Sequence, residues 1–550
     1  METRDHHELF LGGYRKRVDE RLDDWERASF GRRLWDRDHT LWSDRPLPEL
    51  TDRLGWLDLF DSSRDLPEEL EPFAREIRAE GIEHVVLLGM GGSSLAPDMF
   101  HATFGARDDY PQLTVLDSSH PDAVKGTERF IRQEQSLFIV ASKSGKTLET
   151  LALFKHFWAW SGKVVSDPGR HFIAITDPGT PLEELAEDRR FRGTFLAPTD
   201  LGGRYSALTA YGLVPAALIG IDIERLLERS RIAARVCSPD VPVRENPGLT
   251  LGAALGELAL AGRNKLTFLA TSSVADFPVW LEQLIAESTG KNGKGILPVI
   301  REPPASAELY GPDRFFVLFS MEGDNPDGYE GLLEELGAAG HPASVVRLSE
   351  KADIGREIFI WELAVAAAGS ALGIHPFNQP DVELSKELAR EAMYGGGVTG
   401  VEETMIDGDD LRSQLEQWLS LAGKGDYISI HAYLNPSEDT DRYLREIRDI
   451  LLNRTGFATT ADYGPRFLHS TGQLHKGGMN EGLFLQVVEQ PRESVQVPGE
   501  AYSFADIIEA QSVGDFAALK RRGRRLIRVN LGDQGIYGLE TIADALGTEE

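Results

Sequence analysis

A single cysteine, Cys237, stands among 550 residues, which excludes an internal disulfide framework and any multi-cysteine zinc or iron–sulfur site. No run of about 18 apolar residues occurs, so the chain offers no candidate membrane-spanning helix. The opening METRDHHELFLGGYRKRV has no apolar core followed by a small-residue cleavage site, and a secretory leader is not expected. Positive charge is scarce as well: 58 Lys+Arg against 88 Asp+Glu leave a formal charge of -30. Such a surface does not attract nucleic-acid phosphates or an anionic membrane, so an anionic ligand needs a pocket with local donors. A reducing cytoplasm, with neither nucleic acid nor membrane as partner, is the expected setting.

What the chain does have is apolar residues in quantity, 41%, beside 27% charged ones, over a length too great for one ordinary core. Residues 1–75 mix Trp, Leu and charge and read as a helical segment, with His6 and His7 in solvent. From Gly81 short apolar runs alternate with helical spacing: GIEHVVLLG, LTVLDS, SLFIVAS and HFIAITD are strands separated by helices. The pattern predicts a doubly wound parallel sheet over 76–200. Helical connectors fill 201–262. A second unit of similar size runs over 263–390 through KLTFLAT, RFFVLFS and SVVRLS, closing on the helix IFIWELAVAAAGSALG. Residues 391–550 continue the alternation as an α/β extension. The fold class is therefore α/β, with two doubly wound units whose cleft is the natural seat of a small ligand.

Two stretches carry phosphate chemistry. GMGGSSLAP follows a strand and opens a helix, so Gly91, Gly92, Ser93 and Ser94 let a ligand approach backbone N–H groups closely. It is not the dinucleotide fingerprint, because the third glycine is missing. SLFIVASKSGKTLET gathers Ser142, Lys143, Ser144, Lys146, Thr147 and Thr150 at a helix start. An N-cap uses one hydroxyl; four, with two lysines, suit a phosphate dianion better. A Walker loop is not formed, since SGKT lacks the upstream glycine.

With GGRYS at Gly202, AESTGK at Ala286 and PFNQPDVELSK at Pro376 added in order, the chain resembles the glucose-6-phosphate isomerase (phosphoglucose isomerase) family, whose units are of the sugar-isomerase (SIS) type. The whole-chain pattern is most similar to the isomerase half of bifunctional transaldolase/glucose-6-phosphate isomerase proteins, without the transaldolase domain. The resemblance implies interconversion of glucose 6-phosphate and fructose 6-phosphate through a cis-enediol, in glycolysis and gluconeogenesis, with no cofactor and no metal. It implies Glu287 as the base, Arg204 as the cation facing the enediolate, Lys386 near the ring oxygen and Gln379 as a substrate contact. Gln283, one turn before Glu287, is expected to meet a substrate hydroxyl. The ring-opening histidine lies in FLHSTGQLHKGG, as His475 or its rival His469; this segment follows Lys386, whereas in the common long isomerases it precedes the lysine. His375 reads as a loop or core residue. Family members are often dimers in which a neighbouring subunit completes the site, so a homodimer and a histidine acting in trans are both expectations, as is a functional link to a transaldolase. The rival reading is a noncatalytic sugar-phosphate-binding regulator on the same fold. Transaldolase chemistry in this chain itself is excluded, because no eightfold βα repeat is present.

Overall fold

The computed structural model describes residues 6–59, 63–325, 329–394, 401–406 and 410–547. Among them, fifteen strands form three sheets of five. The first sheet has the order β3-β2-β4-β5-β6, with β2 His84–Gly89, β3 Gln112–Leu116, β4 Ser136–Ala141, β5 Phe172–Thr176 and β6 Gly193–Leu196, all parallel. β4 and β5 are buried along their whole length, which is why their sequences are continuous apolar runs. Helix α1 (Leu95–Phe104) follows the Gly91–Ser94 turn, and α2 (Leu148–Ser161) follows the SKSGKT turn.

Between the first two sheets runs α3 (Pro247–Leu260), then α4 (Phe277–Thr289) and α5 (Ile354–Leu372). α3 and α5 cross closely through small residues at four-residue spacing. A Cβ on Gly248 would stand 2.6 Å from Leu363, on Gly252 2.7 Å from the Ala364 carbonyl and Ala367, and on Gly256 2.5 Å from Ala371. This stripe lets an almost wholly buried helix become the spine shared by the first two units.

The second sheet, ordered β1-β10-β9-β7-β8, departs from expectation at one edge. Strands β7 (Lys265–Ala270), β8 (Leu297–Val299), β9 (Arg314–Met321) and β10 (Ala343–Leu348) are parallel, but β1 (His7–Phe10) joins β10 antiparallel. The N-terminal segment is thus not purely helical. His7, expected in solvent, is nearly buried, with Nε2 2.8 Å from Glu357 on α5. The strand pairing carries it inward, and burial of the carboxylate is compensated: His7 and Arg356 hold Glu357 down at about 2 although burial alone would raise it.

The C-terminal extension, after α6 (Glu383–Met393), builds a sheet of its own, ordered β11-β15-β14-β12-β13 and parallel throughout. Its strands are β11 Thr404–Met405, β12 Tyr427–Tyr433, β13 Ala458–Tyr463, β14 Gly482–Val488 and β15 Arg525–Asn530. Helices α7 (Gly472–Gly477) and α8 (Phe504–Arg521) face the other units. α6 presses onto α8 at Gly514, where a Cβ would meet the Ala389 nitrogen at 2.6 Å.

The α3–α5 crossing makes a direct prediction. Gly252→Leu has no room for its side chain and is expected to destabilise the fold by about 1–3 kcal/mol or more. Thermal denaturation read by circular dichroism measures it, and an unchanged midpoint would refute the close crossing.

Candidate active site

Arg204 sits in the turn Gly203–Tyr205 and is 2% exposed. The turn reaches its position because two glycine loops touch: a Cβ on Gly92 would lie 2.2 Å from the Gly203 carbonyl oxygen. The buried guanidinium donates from Nε to Ser288 Oγ (2.8 Å), from Nη1 to Gln379 Oε1 (3.0 Å), and from Nη2 to the carbonyls of Pro376 (2.7 Å) and Asn378 (3.1 Å). Its Nη1 also stands 3.3 Å from Glu287 Oε2. Glu287 lies in the last turn of α4, and Gln283, one turn earlier, donates to the same carboxylate oxygen at 3.1 Å. Arg204, Glu287, Gln283 and Gln379 therefore form one cluster.

The third unit adds to it. Gln283 also donates to the main-chain carbonyl of His469 at 2.8 Å, and a Cβ on Gly91, which has φ +55°, would press on His469. The His469 ring reaches the first unit, with Nε2 2.9 Å from Glu149 Oε1. Glu149 belongs to the first turn of α2, beside the hydroxyl-rich turn, and accepts a second bond from Gln511 of α8 at 2.6 Å. Burial alone would raise this carboxyl; the neighbouring His469, with Gln511, holds it below the usual range. Glu149 was not singled out in the sequence, although it is the glutamate of SKSGKTLET.

In that turn Ser142 and Thr147 share a hydrogen bond of 2.9 Å, and Ser144 Oγ accepts from the Lys146 N–H at 3.3 Å. Thr147 occupies the N-cap position without a side-chain cap bond. Thr150 is buried and its hydroxyl has no partner. Lys143 pairs with Asp177 at 2.5 Å, while Lys146 is exposed. Burial lowers Lys143 and raises Asp177, both marks of a desolvated pair. Ser93 and Ser94 are buried behind Gly91 and Gly92.

Two expected residues stand outside the cluster. Lys386 on α6 is half-exposed and donates to Glu383 at 2.7 Å. His475 is fully buried, its Nδ1 3.1 Å from His431 Nε2, and burial drives it well below the usual imidazole range. Of the two histidines only His469 is brought to Gln283 and the Glu287 end of α4. His375 is a turn residue: Nδ1 accepts from Phe377 N–H at 3.1 Å and Nε2 lies 3.0 Å from the Pro48 carbonyl.

Gln473 carried no expected role in the sequence, yet it joins the site's segments. Its Nε2 donates to the Gly290 carbonyl (2.9 Å) and to Asp381 (2.7 Å), and its Oε1 accepts from the Asp381 N–H (2.9 Å), so one side chain ties α7 to two of the motifs. Beside it Gly290 packs so closely that a Cβ would lie 2.3 Å from Leu474 Cα.

The phosphoglucose isomerase family model matches residues 64–296, a span that holds Gly91, the SKSGKT turn, Arg204 and Glu287. A probable glucose-6-phosphate isomerase of Methanococcus maripaludis is 28% identical over 401 residues, covering 66% of this chain and 88% of that protein. Over residues 64–296 the chain is similar to the phosphoglucose isomerase family. A glucose-6-phosphate isomerase of Staphylococcus aureus is also 28% identical, over 67% of this chain and 91% of its own length. Among solved structures, a hypothetical protein from Thermus thermophilus superposes with a TM-score of 0.61 at 26% identity, covering 71% of this chain and all of that one. A glucose-6-phosphate isomerase from Chlamydia trachomatis shares the fold, with a TM-score of 0.52 at 21% identity over 72% of this chain and 81% of that one. These relatives are matched over most of their own length but over only two thirds to three quarters of this chain.

Gln473→Leu keeps the volume and removes three bonds across the seam, leaving a buried carbonyl and carboxylate short of partners. A loss of about 1–3 kcal/mol is expected. Chemical denaturation checks it; wild-type stability would show that the seam does not depend on this side chain.

Proposed function

We propose that the chain is a glucose-6-phosphate isomerase, interconverting glucose 6-phosphate and fructose 6-phosphate through a cis-enediol. The observation that carries this reading is the continuous set Arg204–Glu287–Gln283–His469–Glu149, in which a fixed cation, a carboxylate and a carboxylate-backed imidazole are joined contact to contact. A binding protein needs no base held against a guanidinium, which disfavours the regulator alternative.

Each step has a group suited to it. His469, backed by the buried Glu149 carboxylate, protonates the ring oxygen and accepts the anomeric proton. Glu287 takes the proton from carbon 2 and returns it to carbon 1. Arg204, which cannot give up its proton, supplies positive charge beside Glu287 against the negative oxygen of the enediolate. Gln283 keeps Oε1 without a partner, an acceptor for a sugar hydroxyl. Ser142, Ser144, Thr147 and Thr150, with the backbone at the start of α2, form the phosphate seat, beside the Gly91–Ser94 turn. Lys386 fits less well, since it must leave Glu383 to meet the sugar; we assign ring opening to His469 rather than to Lys386 or His475. The single buried thiol of Cys237 agrees with a cytoplasmic enzyme. A tie to a transaldolase rests on whole-chain resemblance alone.

Proton NMR of fructose 6-phosphate with the enzyme in deuterated water tests the reaction. Glucose 6-phosphate carrying deuterium at carbon 2 is expected from the wild type, with turnover reduced by about 10²–10⁴ in Glu287→Gln. Near-normal turnover in that variant would sink the assigned base.

Gln283 bridges Glu287 and His469 of one chain, so the site is read as complete in a single copy. Mixing inactive His469→Ala with inactive Glu287→Gln is therefore expected to restore no activity. Recovery on mixing, through hybrid dimers with one intact site, would show instead that the histidine acts in trans.

A further inference from the structure

A cavity of about 1270 Å³ lies behind the isomerase site, at the seam where the third unit meets the first two. Its walls are the end of β3 with the helix Pro121–Phe130, α4 and the Ile300–Pro304 segment, and the helix Glu438–Thr455 with the end of β13 through Arg466. None of Arg204, Gln283, Glu287, Gln379 or His469 lines it.

The polar groups on these walls are unevenly satisfied. Every arginine of the lining has acceptors: Arg466 reaches Asp117 at 2.8 Å and Asp98 at 2.6 Å, and Arg448 donates to the carbonyls of Ile300, Arg301 and Thr459. Arg301 pairs with Asp276, Arg442 with Asp439, and Arg445 donates to the Asp441 carbonyl. Among the described residues, no lysine lines the cavity. The acceptors are what is left over. Glu282 is 3% exposed and its Oε1 has no hydrogen-bond partner; Asp462 Oδ2 is likewise buried without one. Burial raises both carboxyls, and the neighbouring Asp462 charge raises Glu282 further. Two orphaned acceptors facing already committed donors call for a ligand that supplies N–H groups and positive charge.

A metal ion is the poorer fit, because no group of three or more His, Cys, Asp or Glu that could hold one occurs among the described residues. An ammonium group needs fewer anionic partners, since each N–H donates one directed bond. The cavity is far larger than one ammonium ion, and its remaining walls carry Asp122, Asp441, Glu446 and Asp449. We propose that this cavity binds an organic di- or polyammonium ion, with one ammonium group seated between Glu282 and Asp462, and that its occupancy is felt at the isomerase site.

The coupling follows from shared walls. Glu282 lines the cavity while its neighbour Gln283, and Glu287 one turn on, belong to the site, so α4 is common to both. The turn Arg466–His469 is anchored on the cavity side through Arg466 to Asp98 and Asp117 and on the site side through His469 to Glu149. This second half of the proposal rests on the isomerase reading; the binding half does not.

Isothermal titration of the full chain with spermidine and with putrescine, at constant ionic strength, tests the binding. One saturable site is expected, weakened about tenfold or more by Glu282→Gln and by Asp462→Asn, each of which keeps its shape and removes an anionic partner. Melting curves show whether either variant is folded, and each decides alone if the other is not. In the wild type the Michaelis constant for fructose 6-phosphate should shift with the same saturation curve, and not in the variants. No saturable heat with either amine, undiminished binding in folded variants, or an equal effect of sodium chloride would overturn the site. Binding without a kinetic shift would overturn the coupling, and binding by a chain that turns over no sugar would fault the isomerase reading alone.

Discussion

One buried guanidinium sets the geometry of the site. A charge that is 2% exposed is tolerable only if its donors are filled, and Arg204 fills them from the end of α4, from the Pro376–Gln379 segment and from the Glu287 carboxylate. Moving either of these elements would strand an N–H in the interior, so the fork of the guanidinium fixes its own turn, α4 and the Pro376–Gln379 segment relative to one another. A lysine could not do this, because one ammonium has no planar fork to distribute. The glycines around it serve the same end: without a Cβ at Gly92 the loop carrying Arg204 can lie against the Gly91–Ser94 turn.

The third unit is built onto this frame and is not an appendage. The chain's β13–α7 segment brings His469 to α4 and α2, and Gln473 to the Gly290 and Asp381 loops. Close backbone approach at Gly290 and at Gly91 leaves that segment little freedom.

Much of this was legible in the sequence, for definite reasons. Strands such as β2, β4 and β9 are covered on both faces and so read as apolar runs, and the α/β class followed from their alternation with helices. β6, β8 and β13 were missed because they are short or partly polar; ATTADY at Ala458 carries no apolar run at all. β1 was hidden because an edge strand of four residues leaves no periodic signal. The motifs named Arg204, Glu287, Gln283 and Gln379, which the fold does gather. They could not assign a part to Glu149 or Gln473, whose partners lie 320 and 183 residues away, since no local spacing records such contacts.

The two histidines of FLHSTGQLHKGG show why tertiary contacts must decide such cases. Six residues apart in similar company, they meet opposite environments. His475 lies in a sealed network with His431, while Asp515 takes His431 at 3.1 Å and Lys476 at 2.6 Å, and Arg524 binds the His475 carbonyl at 2.8 Å. At that depth the imidazole is neutral and braces the turn from inside. His469, at the other end of that anchored turn, keeps 22% of its side chain open and has Glu149 behind it. A proton-transfer group needs both an exposed tip and a partner behind it, and of the two histidines only His469 combines them.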